Sequence, residues 1–164
     1  MELETARLLL RRWSDEDLPA LARWNADPVV MGRGRMTLEE SSAALERYRQ
    51  HWDEHGFGVW AAELLATGEL VGRIGLSYHR AWPGDPELGW LIDPAHVGVG
   101  LATEGGAAGV EYGLGVLRAQ RLVSICTEEN LESRRVMAKL GFRLHGQVPF
   151  EELAITLWVH ALEA

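Results

Sequence analysis

The stretch HVGVGLATEGG, His96 to Gly106, places four glycines where a strand-like run, LGWLID, hands over to a helical pattern. Glycine gives up more backbone freedom on folding than any other residue, so a cluster of it at one junction needs a physical reason. Two are available. The turn can simply be tight, or the backbone can be bared so that successive N–H groups at a helix start hold an anion. Gly98 and Gly100 stand at the handover itself. The pattern is not a P-loop, because no Gly-Lys-Ser/Thr follows. It is not a dinucleotide fingerprint either, because the third glycine is missing and the preceding strand belongs to a meander. Both surviving readings impose the same local order of strand, bared turn and helix.

The spacing predicts that helix over residues 101–119. Ala102, Gly106, Gly109 and Gly113 recur at intervals of four, three and four, and Ala107, Val110, Leu114 and Leu117 at three, four and three. The first face is all small. A glycine in a helix interior costs about 1 kcal/mol against alanine, so this face is expected to press closely on a sheet or a neighbouring helix. Glu104, Glu111 and Arg118 exclude a membrane reading of the pattern.

Around this unit, RLLLRRW reads as a first strand. SDEDLPALARWNADP reads as a capped helix that begins at Ser14 and is closed by Pro28. Leu38 to His55 has helical spacing through Leu38, Ala44, Leu45, Tyr48 and Trp52. FGVWAAELL, ELVGRIGLSYH and PELGWLID, divided by ATG and RAWPGD, predict an antiparallel meander. RLVSICTE is the next strand. ENLESRRVMAKLGF is a short helix with Asn130 as its N-cap, Glu132 at its positive end and Gly141 as its stop. FRLHGQV and LAITLWVHAL flank PFEE as the last strands. The expected class is α+β (mixed α/β), a mostly antiparallel twisted sheet of about seven strands flanked by about four helices.

At 164 residues the chain suits a single domain, residues 1–164, able to bury roughly 70% of its unfolded surface. No apolar stretch approaches the roughly 20 residues of a membrane span. MELETARLLLRR runs from acidic to basic, the reverse of a signal peptide. The single cysteine, Cys126, cannot form an internal disulfide, and a reduced cytoplasmic setting is expected. The net charge of −8 argues against nucleic acid as a partner. It suits a cationic partner, or simply a soluble surface. His51, His55, His79, His96, His145 and His160 are scattered. The His51–His55 pair lacks a third ligand, so no metal is expected.

LGWLIDPAHVGVGLATEG followed by ENLESRRVMAKLGF resembles the GNAT superfamily of acetyl-CoA-dependent N-acetyltransferases, and most of all the subgroup of ribosomal-protein alanine N-acetyltransferases. The resemblance runs from TARLLLRRWSDEDLPAL to LWVHAL. It implies the GNAT acyltransferase fold, with a V-shaped splay in the sheet. It also implies direct transfer of acetyl from acetyl-CoA, in a ternary complex, to a primary amine of a protein N-terminus or a small molecule. Dimers are common in that family. Its signature, Q/R-x-x-G-x-G/A, cradles the CoA pyrophosphate and falls on Val97, Gly98, Val99, Gly100, Leu101 and Ala102, with Thr103 following. Both glycines and Ala102 match. Val97 replaces a polar residue, and Val99 replaces the usual arginine or lysine. The resemblance thus keeps the backbone nest and removes a cation, for which Arg134 or Arg135 is the candidate substitute.

The same resemblance puts the backbone of Leu91 and Ile92 beside the pantetheine arm, with the Leu91 amide at the thioester carbonyl. Asn130 and Ser133 match the subgroup's Asn-x-x-Ser. Ser133 would serve the departing sulfur in place of the tyrosine that many members use, since Tyr48, Tyr78 and Tyr112 fall elsewhere. The general base stays open between Glu87, which matches the acidic residue of the subgroup's Glu-(Ile/Leu)-Gly-(Tyr/Trp) run, Glu152 in PFEE, and water. The acceptor site is expected from the first two helices, RAWPGD and PFEE, with Trp82 and Trp90 lining it or packing beside it. A non-catalytic acyl-CoA-binding or sensor domain is the alternative, suggested by the two valines and the missing tyrosine. The intact Asn-x-x-Ser favours the enzyme.

Overall fold

The computed structural model describes residues 1–31 and 34–164. One sheet organises it. Strands β1 (Leu3–Glu4), β2 (Leu8–Arg11), β3 (Val59–Leu64), β4 (Leu70–His79), β5 (Trp82–Ile92), β6 (Arg121–Cys126), β7 (Arg143–Phe150) and β8 (Ile155–Glu163) lie in the order β1-β2-β3-β4-β5-β6-β8-β7. Every pairing is antiparallel except β5 with β6. The helices are α1 (Leu18–Ala26), α2 (Pro28–Met31), α3 (Leu38–His55), α4 (Leu101–Glu111) and α5 (Leu131–Lys139). No helix among the described residues is long and apolar enough to cross a membrane.

The α+β class and the β3–β4–β5 meander match the sequence reading, and four details differ. The sheet has eight strands rather than about seven, because the two residues of β1 pair with β2. The RAWPGD turn narrows to Arg80 and Ala81, since β5 already starts at Trp82. Pro28 opens α2 instead of ending the preceding helix for good; proline suits a first helical turn, where its missing N–H is not needed. The helix read over 101–119 ends its regular part at Glu111 and continues as a π-helical turn, Tyr112–Val116, before Arg118 takes a left-handed φ of 55°.

Strand alternation divides the meander between two faces. The register sets Trp60, Ile74 and Trp90 on one side and Ala61, Arg73 and Leu91 on the other. Leu76 and Leu88 join the first set, while the pairs Gly75–Gly89 and Ser77–Glu87 join the second. Helices α4 and α5 cover the first face. A Cβ on Gly105 would stand 2.2 Å from Ile74, on Gly109 2.6 Å from Leu88, and on Gly113 2.9 Å from Leu122; one on Gly106 would stand 2.7 Å from Leu140 just past α5. The small face is therefore a close-approach surface, as its composition predicts, with Gly105 added and Ala102 only partly buried. The second face is covered by α1 and α3, whose Leu21, Trp24 and Leu45 pack with Ala61 and Leu91. Helix α3 is well held at both ends. Thr37 and Glu40 exchange side-chain-to-backbone hydrogen bonds of 3.2 and 2.7 Å, and Gly56 closes the helix at φ 74°.

Candidate active site

The glycine turn is anchored at its entry by a buried carboxylate. Asp93 follows β5, and its side chain accepts hydrogen bonds from the Ala95 amide at 2.9 Å and the Trp24 indole at 2.7 Å, with Arg23 also in contact at 2.5 Å. Burial by itself would raise this carboxyl's pKa; Trp24, the Ala95 amide and Arg23 outweigh it and hold Asp93 below its ordinary value. After the short Pro94–His96 turn, Gly98 and Gly100 take φ values of 81° and 91°, a region that disfavours side chains. Gly100 is the N-cap of α4. The first intrahelical bond runs from the Glu104 amide to the Gly100 carbonyl at 3.0 Å, which leaves the amides of Leu101, Ala102 and Thr103 without a helical acceptor. Nothing lies within 4 Å of a Cβ built on Gly98. Val97 and Val99 are exposed on either side of it. The result is an open concavity of amides at the positive end of a helix, suited to an anion.

The other side of this loop carries a brace that the sequence did not disclose. Arg7, at the entry to β2, donates to the Val99 carbonyl at 3.0 Å and pairs with Glu104 at 2.7 Å. The Glu104 carboxylate also accepts from the Arg7 amide at 2.7 Å and from the Thr5 hydroxyl at 2.6 Å. Burial alone would raise the Glu104 pKa, but Thr5 and Arg7 hold it below the usual carboxylate value. Arg134, a candidate for the missing cation, lies elsewhere. Its guanidinium donates to the Glu128 carbonyl at 3.1 Å and stacks 4.8 Å from the Trp158 ring centre. Arg135 is solvent-exposed.

Below the loop the sheet opens. Strands β5 and β6 share a single register position, Glu87 with Val123. From there Leu88 to Ile92 and Ser124 to Cys126 diverge, giving the V-shaped splay. The Asp93 amide donates to the Val71 carbonyl at 2.8 Å. With Gly72 opposite Ile92 and Arg73 opposite Leu91, the antiparallel alternation turns the Leu91 N–H and C=O toward β4. The backbone groups that face the open edge are those of Trp90 and Ile92. The Leu91 amide, expected at the thioester carbonyl, thus points away from the slot.

Glu87 sits at the vertex of the splay, half-buried on the α1–α3 face. Its carboxyl is pushed up to about 7 by burial, partly offset by the Arg73 charge and by a hydrogen bond from the Ile125 amide. Gly75 and Gly89 face each other between Arg73 and Glu87, and nothing lies within 4 Å of a Cβ built on Gly89. A Cβ on Gly75 would instead meet the β3 backbone at Gly58 and Val59, 2.5 Å away, so the open space between the two charged side chains lies over Gly89. The Arg73 guanidinium lies 6.0 Å from the Tyr48 ring centre, and its Nε is buried without a hydrogen-bond partner among the described residues.

At the head of α5 the Asn130 side chain accepts from the Ser133 amide at 3.0 Å, and Ser133 is partly buried in the first turn. A cavity of about 550 Å³ adjoins that turn, lined by Thr127, Glu128, Glu129, Thr156 and Trp158 among others. Glu152 lies in the turn between β7 and β8 and is paired with exposed Arg80. That contact joins the β4–β5 hairpin to the PFEE turn, reinforced by Arg80 over the Phe150 ring at 5.1 Å. Trp90 packs against the main core, and the Trp82 indole donates to Asp85 at 3.0 Å. Among the described residues no three His, Cys, Asp or Glu side chains gather as a metal site would require.

Comparison with known proteins bears on the fold and the family. A family model described as an acetyltransferase (GNAT) domain matches residues 7–143. The spermidine N(1)-acetyltransferase of Escherichia coli (strain K12) is 34% identical over 87% of this chain and 76% of its own. The crystal structure of an acetyltransferase from Agrobacterium tumefaciens str. C58 is similar at a TM-score of 0.89 and 28% identity, covering 100% of this chain and 95% of that one. The ribosomal-protein-S5-alanine acetyltransferase from Vibrio fischeri shares the fold at a TM-score of 0.77 and 13% identity, over 99% of this chain and 96% of its own.

Proposed function

The chain belongs to the GNAT family of acetyltransferases, and on that premise we propose that it transfers acetyl from acetyl-CoA to a primary amine by direct attack. The observation that carries the reading is Glu87, a carboxyl with a pKa of about 7 at the vertex of the splay. A general base works best when its pKa lies near the working pH. Glu152, exposed and paired with Arg80, has no comparable setting, and Glu87 is therefore the base.

The residues fit the cosubstrate. The open amides of Gly98 to Thr103 would hold the pyrophosphate, and the free β5 edge at Trp90 and Ile92 would pair with the pantetheine arm. Acetyl-CoA supplies an activated acyl group on sulfur. Glu87 accepts the proton that the amine gives up as the N–C bond forms. The Trp90 or Ile92 amide, on the open edge, is aimed to stabilise the carbonyl oxygen as charge grows on it. Ser133, at the head of α5 beside Asn130, hydrogen-bonds the sulfur as the C–S bond breaks and the thiol takes up a proton. The test is thiol release from acetyl-CoA in the presence of an amine panel, with mass detection of the acetylated product. Tight acetyl-CoA binding without transfer to any amine would favour a sensor domain instead.

A further inference from the structure

We propose that the acceptor is a small amine bearing its own carboxylate, of the amino-acid kind, with the amine delivered to Glu87 and the carboxylate held by Arg73. This rests on the transferase reading above and narrows its substrate.

Arg73 and Glu87 lie on one face of the sheet, at register positions Arg73–Leu91 and Ser77–Glu87. The four-residue offset is roughly 13 Å along the strand; β3 backbone closes the space over Gly75, and the opening between the two positions lies over Gly89. The open space above Gly89 leaves room for a molecule of a few heavy atoms between the two head groups. Arg73 makes no ion pair within 4.0 Å among the described residues, and unlike the exposed Arg135 and Arg143 it is partly buried. Its buried Nε also lacks a hydrogen-bond partner among the described residues. An unpaired guanidinium donor removed from water is costly, and a ligand carboxylate would satisfy it with charge-assisted hydrogen bonds. A polyamine would instead bring a second ammonium against a fixed positive charge. The bond changes stay those of acetyl transfer: N–C forms, C–S breaks, the amine proton passes to Glu87 and the sulfur is protonated.

The experiment measures kcat/KM by thiol release for free amino acids, for the matching carboxamides and for spermidine, with acetyl-CoA saturating. The carboxamides have the less basic amine, so their larger neutral fraction biases the comparison against the proposal. The acids should still be preferred by roughly ten- to a hundredfold, the range expected for a hydrogen bond to a charged group. Arg73→Gln should raise KM for the acids by a similar factor over and above any change that acids and carboxamides share through the Arg73 charge at Glu87, while Arg73→Lys should retain part of the preference. The wild-type panel is decisive even if a variant misfolds, and a melting curve identifies that case. Carboxamides or spermidine turning over as well as the acids would overturn the proposal and leave the transferase reading standing. So would an equal loss for acids and carboxamides in Arg73→Gln, which would mean that Arg73 acts only through Glu87. Binding of acetyl-CoA with no transfer to any amine would remove both.

Discussion

Replacing Glu87 by glutamine should slow the enzyme and stabilise it at the same time. The folded protein raises this carboxyl from its ordinary 4.5 to about 7, chiefly by burial. At 1.36 kcal/mol per tenfold change in a proton equilibrium, that is a penalty of about 3 kcal/mol on the ionised form. The raised value belongs to the folded state. Its contribution to stability is therefore fully present below pH 4.5 and is lost as the pH rises through about 7. Urea unfolding at pH 6 and pH 8.5 should show the wild type losing about 1 kcal/mol more than Glu87→Gln over that interval, since glutamine does not titrate. In the same buffers, turnover of the variant should fall about 10²- to 10⁴-fold. The acid limb of the wild-type rate profile, centred near 7, should vanish with it. Parallel stability curves for the two proteins would refute the buried carboxyl, and parent-like turnover would refute the base.

Three further outcomes follow from the site. Gly100→Asp puts a side chain and a negative charge into a position at φ 91° beside the open amides, and calorimetry should show acetyl-CoA binding weakened at least tenfold, as expected for a lost charge-assisted contact; unchanged affinity would remove the nest. Ser133→Ala should lower turnover by up to about 10²-fold while acetyl-CoA affinity stays nearly intact; lost affinity with preserved turnover would recast Ser133 as a cosubstrate ligand. Arg7→Ala frees the Val99 carbonyl and unpairs Glu104, so KM for acetyl-CoA should rise several-fold with KM for the amine unchanged; equal shifts in both would point to general loosening.

What was legible in the sequence was what short-range chemistry dictates. Asn130 caps α5, and the small face of α4 presses on the sheet; each involves residues within a turn or two, or a face with one period. The meander was legible because ATG and RAWPGD separate runs of strand composition. The brace at the glycine turn was not, because Arg7 and Glu104 stand 97 residues apart and TARLLL reads as nothing more than a strand start. The Asp93 anchor joins Trp24 across 69 residues. The Leu91 assignment was off by one because the polar groups of neighbouring strand residues point opposite ways. Strand composition carries no parity; only the bond from Asp93 to Val71 sets it.

The two valines at the turn gain a different meaning from this brace. A loop that lost its side-chain cation would be expected to recruit another, yet Arg134 is committed to Glu128 and Trp158 and Arg7 to Glu104 and the Val99 carbonyl. In the proposed function, anion binding would then fall to the amides at the α4 N-terminus. Amides are weaker partners than a guanidinium, and they act together only if their directions are fixed before the ligand arrives. Arg7 on the carbonyl side and Asp93 at the entry both fix those directions. On the proposed reading, the charged side chains around this turn serve mainly to orient its backbone, and the backbone would meet the ligand.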